Sequence, residues 1–167
     1  MKKTFTAVAL VLPMLLPCLA QAADYLSMSA GYYDIGRMGN DKQNEALSLT
    51  AEWRPATRWA GGLVAPFAGG MLTTDGGLYG YGGVGLDFHP TRTMYIFPNF
   101  AAGLYSDGDG KDLGHAVEFR TGVELGWELQ TGSRVGVAVH HISNAGLGDK
   151  NPGTEILSLN YSFPIGN

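Results

Sequence analysis

Cysteine is almost missing from this chain, and the single one present, Cys18, falls in the opening stretch MKKTFTAVALVLPMLLPCLAQAA. That stretch has two lysines, an apolar run from Phe5 to Leu19 and small residues before Asp24, the layout of a cleavable secretory signal over residues 1–23. A lipid anchor on Cys18 is disfavoured because Pro17 precedes it, where a small residue is normal. With the signal removed, residues 24–167 hold no disulfide and no thiolate chemistry. Basic residues are also scarce. The whole chain has 11 Lys+Arg against 15 Asp+Glu, and loss of Lys2 and Lys3 leaves six more acids than bases, which excludes a general nucleic-acid footprint. Beyond the signal, no apolar run approaches the ~18 residues of a spanning helix. Sustained helical periodicity is missing too. Disorder is excluded in turn, because 45% of the residues are hydrophobic.

What remains is alternation. Read at period two, residues 24–167 divide into about eight segments of roughly ten residues, the pattern of a small transmembrane β-barrel. The clearest is HAVEFRTGVELGWEL. Val117, Phe119, Thr121, Val123, Leu125, Trp127 and Leu129 fall on one face, with Glu118, Arg120, Glu124 and Glu128 on the other. YLSMSAGYY and ALSLTAEW repeat the pattern. The glycine-rich segments near 62–73, 78–88 and 93–105 are less regular, and the last two strands are expected at about 133–143 and 154–163. The polar links at 34–45, 74–77, 106–114 and 144–153 fall at one end, with shorter ones near 54–61, 89–92 and 130–132 at the other. The fold class expected is therefore all-β: one eight-stranded antiparallel barrel of the outer-membrane type, both termini in the periplasm, in a Gram-negative cell. Tyr25, Trp53, Trp127, Tyr161 and Phe163 are expected to form the periplasmic aromatic girdle. Eight strands leave an interior that side chains fill, and Glu118, Arg120, Glu124, Glu128 and Arg134 are expected to form an ionic network inside it.

The candidate chemistry lies in SRVGVAVHHIS and the segment after it. Val135, Val137, Val139, His141 and Ser143 share one parity, and the three valines assign that face to lipid; His140 then faces the lumen. In TEILSLNYSF, Glu155 shares the apolar parity of Leu157, Leu159, Tyr161 and Phe163. Glu155 therefore lies opposite or diagonal to His141, with the register open. A hydroxyl, an imidazole and a carboxylate on one wall are the parts of nucleophilic acyl transfer. In the following NAGLG, Asn144 and the Gly146 N–H are the candidate oxyanion donors.

The run HISNAGLG followed by NPGTE resembles the PagL-type lipid A 3-O-deacylases, eight-stranded outer-membrane barrels with a His-x-Ser-Asn-Ala-Gly signature and a downstream Glu. The resemblance implies His141 as base, Ser143 as nucleophile, Glu155 as orienting acid, and Asn144 and Gly146 as oxyanion contributors. It also implies lipid A, the lipopolysaccharide anchor of the outer leaflet, as substrate, a homodimer, and no metal or cofactor. Two other readings compete: a non-enzymatic barrel acting as anchor or adhesin, and a phospholipase or acyl-transferring barrel. SDGDGKD only faintly matches a calcium loop, and Arg37, Lys42, Lys111 and Lys150 are either contacts for lipid phosphates or scattered solubilising charges.

Overall fold

The computed structural model describes residues 23–35 and 46–166. The expected secretory signal, Arg37 and Lys42 lie outside these residues. Eight antiparallel strands close into one barrel in sequence order: β1 (Asp24–Tyr33), β2 (Ala46–Arg54), β3 (Val64–Thr73), β4 (Leu78–Leu86), β5 (Met94–Ser106), β6 (Val117–Glu128), β7 (Arg134–Ser143) and β8 (Thr154–Ile165). Closure pairs β1 with β8, Asp24 opposite Ile165 and Tyr33 opposite Ile156. No strand edge is left open, so the backbone N–H and C=O groups of the wall are satisfied within it, the requirement for crossing hydrocarbon.

Alternation sets which side each residue faces. Met28, Leu47, Leu49, Leu72, Leu78, Leu104, Leu125, Val137, Val139 and Leu159 are exposed on the outer wall. In water such a surface would drive aggregation; in a bilayer it is the surface that faces lipid. Toward the periplasmic end the exposed Trp53, Trp127 and Tyr161 form the expected girdle, joined by Trp59 and Phe88. Tyr25 departs from that expectation. It has the parity of Ser27, not of Met28, so it turns inward, is buried, and donates its hydroxyl to the Gly132 carbonyl.

The lumen is filled. Arg54 bonds Glu52 at 2.8 Å and Glu124 at 2.7 Å, and Arg120 bonds Glu52 at 2.9 Å. Tyr81 and Tyr95 donate to Glu52 and Glu124. The guanidinium groups of Arg54 and Arg120 lie over Phe97 and Tyr81. The ionic network expected inside the barrel is thus divided. Arg120 and Glu124 join Glu52 and Arg54 in mid-lumen, whereas Arg134 and Glu128 belong to a periplasmic cluster around Asp87. Glu118 is fully buried, and neither of its carboxylate oxygens has a hydrogen-bond partner among the described residues. In mid-lumen there is a polar-lined cavity of about 20 Å³, room for about one water.

Candidate active site

At the end of the barrel opposite the girdle, β7 and β8 are joined by residues 144–153. Val135, Val137 and Val139 carry the outer face of β7 up to His141 and Ser143, while Ala138 and Ile142 are buried on the inner side. The register left open by the sequence places His141 directly opposite Glu155. The two side chains meet, His141 Nδ1 lying 3.1 Å from Glu155 Oε1. They are 47% and 42% exposed, which puts them on the outer wall and outside the lumen. On this pairing Nδ1–H is the donor, and Nε2 carries the lone pair. Ser143 shares the outer face two residues further on, half-buried, and pairs across to Phe119 of β6. Its hydroxyl makes no hydrogen bond among the described residues. His140 points inward, where its ring packs against the position a Gly122 side chain would fill.

Beyond Ser143 the chain turns at once. Leu147 N–H bonds the Asn144 carbonyl at 3.1 Å, and Ala145 and Gly146 have φ of 53° and 82°, the signature of a type I′ turn. Asn144 holds this turn. Its side chain is fully buried, and Nδ2 donates to the carbonyls of Leu113 (2.9 Å) and Lys150 (2.8 Å), while Oδ1 accepts the Gly146 N–H at 2.9 Å. Its own N–H goes to Asn151 Oδ1 at 3.0 Å. Asn144 therefore ties the 107–116 loop to the 144–153 loop, and the Gly146 N–H is already engaged within the turn. Sequence reasoning did not identify Asn151 or Leu113 here, since a carboxamide's long-range partners leave no local pattern.

The cations divide as well. Lys111 is buried and donates to Asp34 Oδ1 at 2.6 Å. Lys150 is exposed and bonds Asp112 at 2.6 Å. This hydrogen bond, helped by the Gly114 N–H, holds the Asp112 carboxyl below its usual range. Asp112 of the faint calcium loop is thereby neutralised by a protein cation.

The fold and this corner together define a small outer-membrane barrel with a hydrogen-bonded His–Glu pair and a serine on its lipid-facing wall. The chain belongs to the family described as lipid A 3-O-deacylase (PagL), whose sequence pattern matches residues 31–164. It is 33% identical over 162 residues to the lipid A deacylase PagL of Pseudomonas aeruginosa, covering 87% of this chain and 88% of that protein. The lipid A deacylase PagL of Bordetella bronchiseptica is 34% identical over 72 residues, 42% of this chain and 40% of that one. Among solved structures, the crystal structure of the outer membrane enzyme PagL superposes with a TM-score of 0.63 at 23% identity, over 84% of this chain and 99% of the other. A de novo designed transmembrane β-barrel matches at 0.59 with 8% identity, over 86% and 96%, a likeness of fold alone.

Proposed function

We propose that this protein hydrolyses the 3-O-linked 3-hydroxyacyl ester of lipid A through a Ser143 acyl-enzyme, with His141 as general base and Glu155 orienting it. The observation that carries this reading is the 3.1 Å His141–Glu155 contact on the outer wall, with Ser143 on the same face, in a member of the lipid A 3-O-deacylase family. The substrate is a membrane lipid whose ester bonds lie just below the headgroup, so a wall-mounted site receives it by lateral diffusion. Polar groups are inexpensive at that depth. Ionisable side chains on a barrel wall cost about 0–1 kcal/mol near the interface, against about 2–4 for Arg or Lys at the midplane.

Ser143 Oγ attacks the ester carbonyl carbon as His141 Nε2 takes its proton. The tetrahedral oxyanion collapses, the bond to the sugar oxygen breaks, and His141 protonates that oxygen. His141 then deprotonates a water that attacks the acyl-enzyme, releasing the free 3-hydroxy fatty acid and restoring Ser143. Glu155 stabilises the imidazolium formed in each half. Ser143 Oγ has no hydrogen bond to the ring among the described residues; such contacts in hydrolases often tighten only with substrate bound. Of the two expected oxyanion contributors, Gly146 is the donor once its N–H releases Asn144 Oδ1, while Asn144, whose Nδ2 is engaged by the Leu113 and Lys150 carbonyls, contributes by fixing the turn. All three triad side chains come from β7 and β8, so a homodimer would leave each site complete in its own chain.

The test is mass spectrometry of lipid A from cells with and without the protein. Expression is expected to remove one 3-hydroxyacyl chain, and Ser143→Ala and His141→Ala to abolish the change while the barrel still assembles. Unaltered lipid A on expression would favour an anchor or adhesin, and fatty acid released from defined phospholipids would favour a phospholipase.

A further inference from the structure

Gly153 stands two residues before Glu155, at the end of the loop that returns to β8, and its backbone is left-handed with φ of 61°. It is buried. A Cβ at this position would lie 2.9 Å from His141 Cε1, 3.5 Å from His141 Nε2 and 3.5 Å from the Ile142 carbonyl oxygen. Cε1 is the ring carbon between the two nitrogens. On one side of it Nδ1 meets Glu155; on the other, Nε2 handles the Ser143 proton in the reading above. The backbone of Gly153 therefore lies against the edge of the imidazole that joins its two working atoms.

We propose that Gly153 is a positioning residue for the base: its bare Cα gives the His141 ring a flat seat, with Nδ1 directed to Glu155 and Nε2 directed along the wall toward Ser143. The inference rests on the triad reading and adds a residue to it. Two separate demands fall on the position. The left-handed φ is one that L side chains other than Asn and Asp rarely adopt. The space beside the ring is one that any Cβ would enter, at a separation real Cβ atoms essentially never show. The ring is the part free to yield. It is half exposed on a lipid-facing wall, so a Cβ swings it outward, and a rigid tilt moves both nitrogens together. A misplacement of about 1 Å in such a site costs about 10²-fold in rate.

Asn separates the two demands, since it tolerates the left-handed backbone yet carries the Cβ. Gly153→Asn and Gly153→Ala in the full-length protein are compared with the native chain for heat-modifiable gel migration, which reports assembly, and for kcat and KM on lipid A in detergent. Assembled Gly153→Asn is expected to lose about 10²-fold in kcat, with KM within about threefold, because substrate contacts are untouched while the base is displaced. Full kcat in an assembled Gly153→Asn overturns the proposal and shows a purely conformational glycine. A loss confined to KM overturns it as well.

If neither single variant assembles, His141→Ala/Gly153→Ala decides. Recovered assembly identifies the ring as the clashing partner, and continued failure leaves only the φ demand and overturns the proposal. Activity remaining in Ser143→Ala or His141→Ala would instead sink the triad reading itself. The two failures are distinguishable.

Discussion

Asn144 and Glu155 hold the site in different ways. Glu155 bonds His141 directly; on the proposed mechanism the amide of Glu155→Gln cannot stabilise the imidazolium, so kcat is expected to fall about 10²–10⁴-fold with assembly intact, measured as lipid A deacylation by the purified variant. Asn144 works through the loops. Asn144→Ala leaves the Leu113 and Lys150 carbonyls without their donor, at about 1–3 kcal/mol for the buried Leu113 carbonyl and less for the part-buried Lys150 one. Amide exchange in 107–116 and 144–153 should quicken together, with activity falling in step. Wild-type exchange in a variant that has lost activity would assign Asn144 to the substrate instead. At this scale much was legible in the sequence. The outward placement of His141, Ser143 and Glu155 follows from parity, because the side-chain period of a strand is two and three valines fix the sign; their proposed roles rest on the resemblance. Gly153 was not singled out, since a glycine's need for space is set by what packs against it.

Among the elements, β7 carries both the lipid-facing valines and two of the polar residues of the candidate site. Its outer face runs from Val135 to Ser143, from the girdle end to the opposite end of the wall. A cation placed along it should therefore cost an amount set by depth. Val139→Arg, midway between the girdle and Ser143, is expected to lower stability by about 2–4 kcal/mol, read from denaturant unfolding in lipid vesicles, and a shift below about 0.5 kcal/mol would contradict the midwall placement. The glycine-rich strands β3 and β4 were harder to read than β7. Gly69, Gly83 and Gly85 sit where a Cβ would strike neighbouring backbone or the Phe97 ring, so their alternation is carried by backbone approach and not by hydropathy. Tyr25 was misplaced for a related reason. An aromatic near an interface suits either face, and only the strand's inward parity, with the Gly132 carbonyl waiting, decides.

For the whole molecule, the lumen is packed with aromatic and apolar side chains around a buried ionic network. Removing one member leaves a buried charge uncompensated, so Glu124→Ala, which strips Arg54 of its 2.7 Å partner, should destabilise the barrel by about 3–5 kcal/mol, again by denaturant unfolding. The periplasmic cluster adds a pH dependence. Burial raises the Asp87 carboxyl, but Arg134, with His89 and Arg58, outweighs it and holds the group below its usual range. A depressed folded value means stability that is present at neutral pH and lost as pH falls below about 4. The stability gap between the native protein and Asp87→Asn should therefore be present at pH 5 and close below about 4. A gap that persists at pH 2 would show that Asp87 contributes by packing.

The sequence by itself determined the barrel, its strand number, its lipid-facing side and the three polar side chains on the outer wall, because all of these follow from alternation and its interruptions. Tertiary structure decided what alternation cannot carry. Register placed His141 opposite Glu155 instead of diagonal to it, closure split the expected inward network between two clusters and left Glu118 apart, and loop packing committed Asn144 to four partners and Gly153 to the imidazole edge. The physical reason is range. Period-two patterning is a local property of the chain, whereas pairing offsets, cross-lumen ion pairs and a missing Cβ acquire meaning only when distant segments meet.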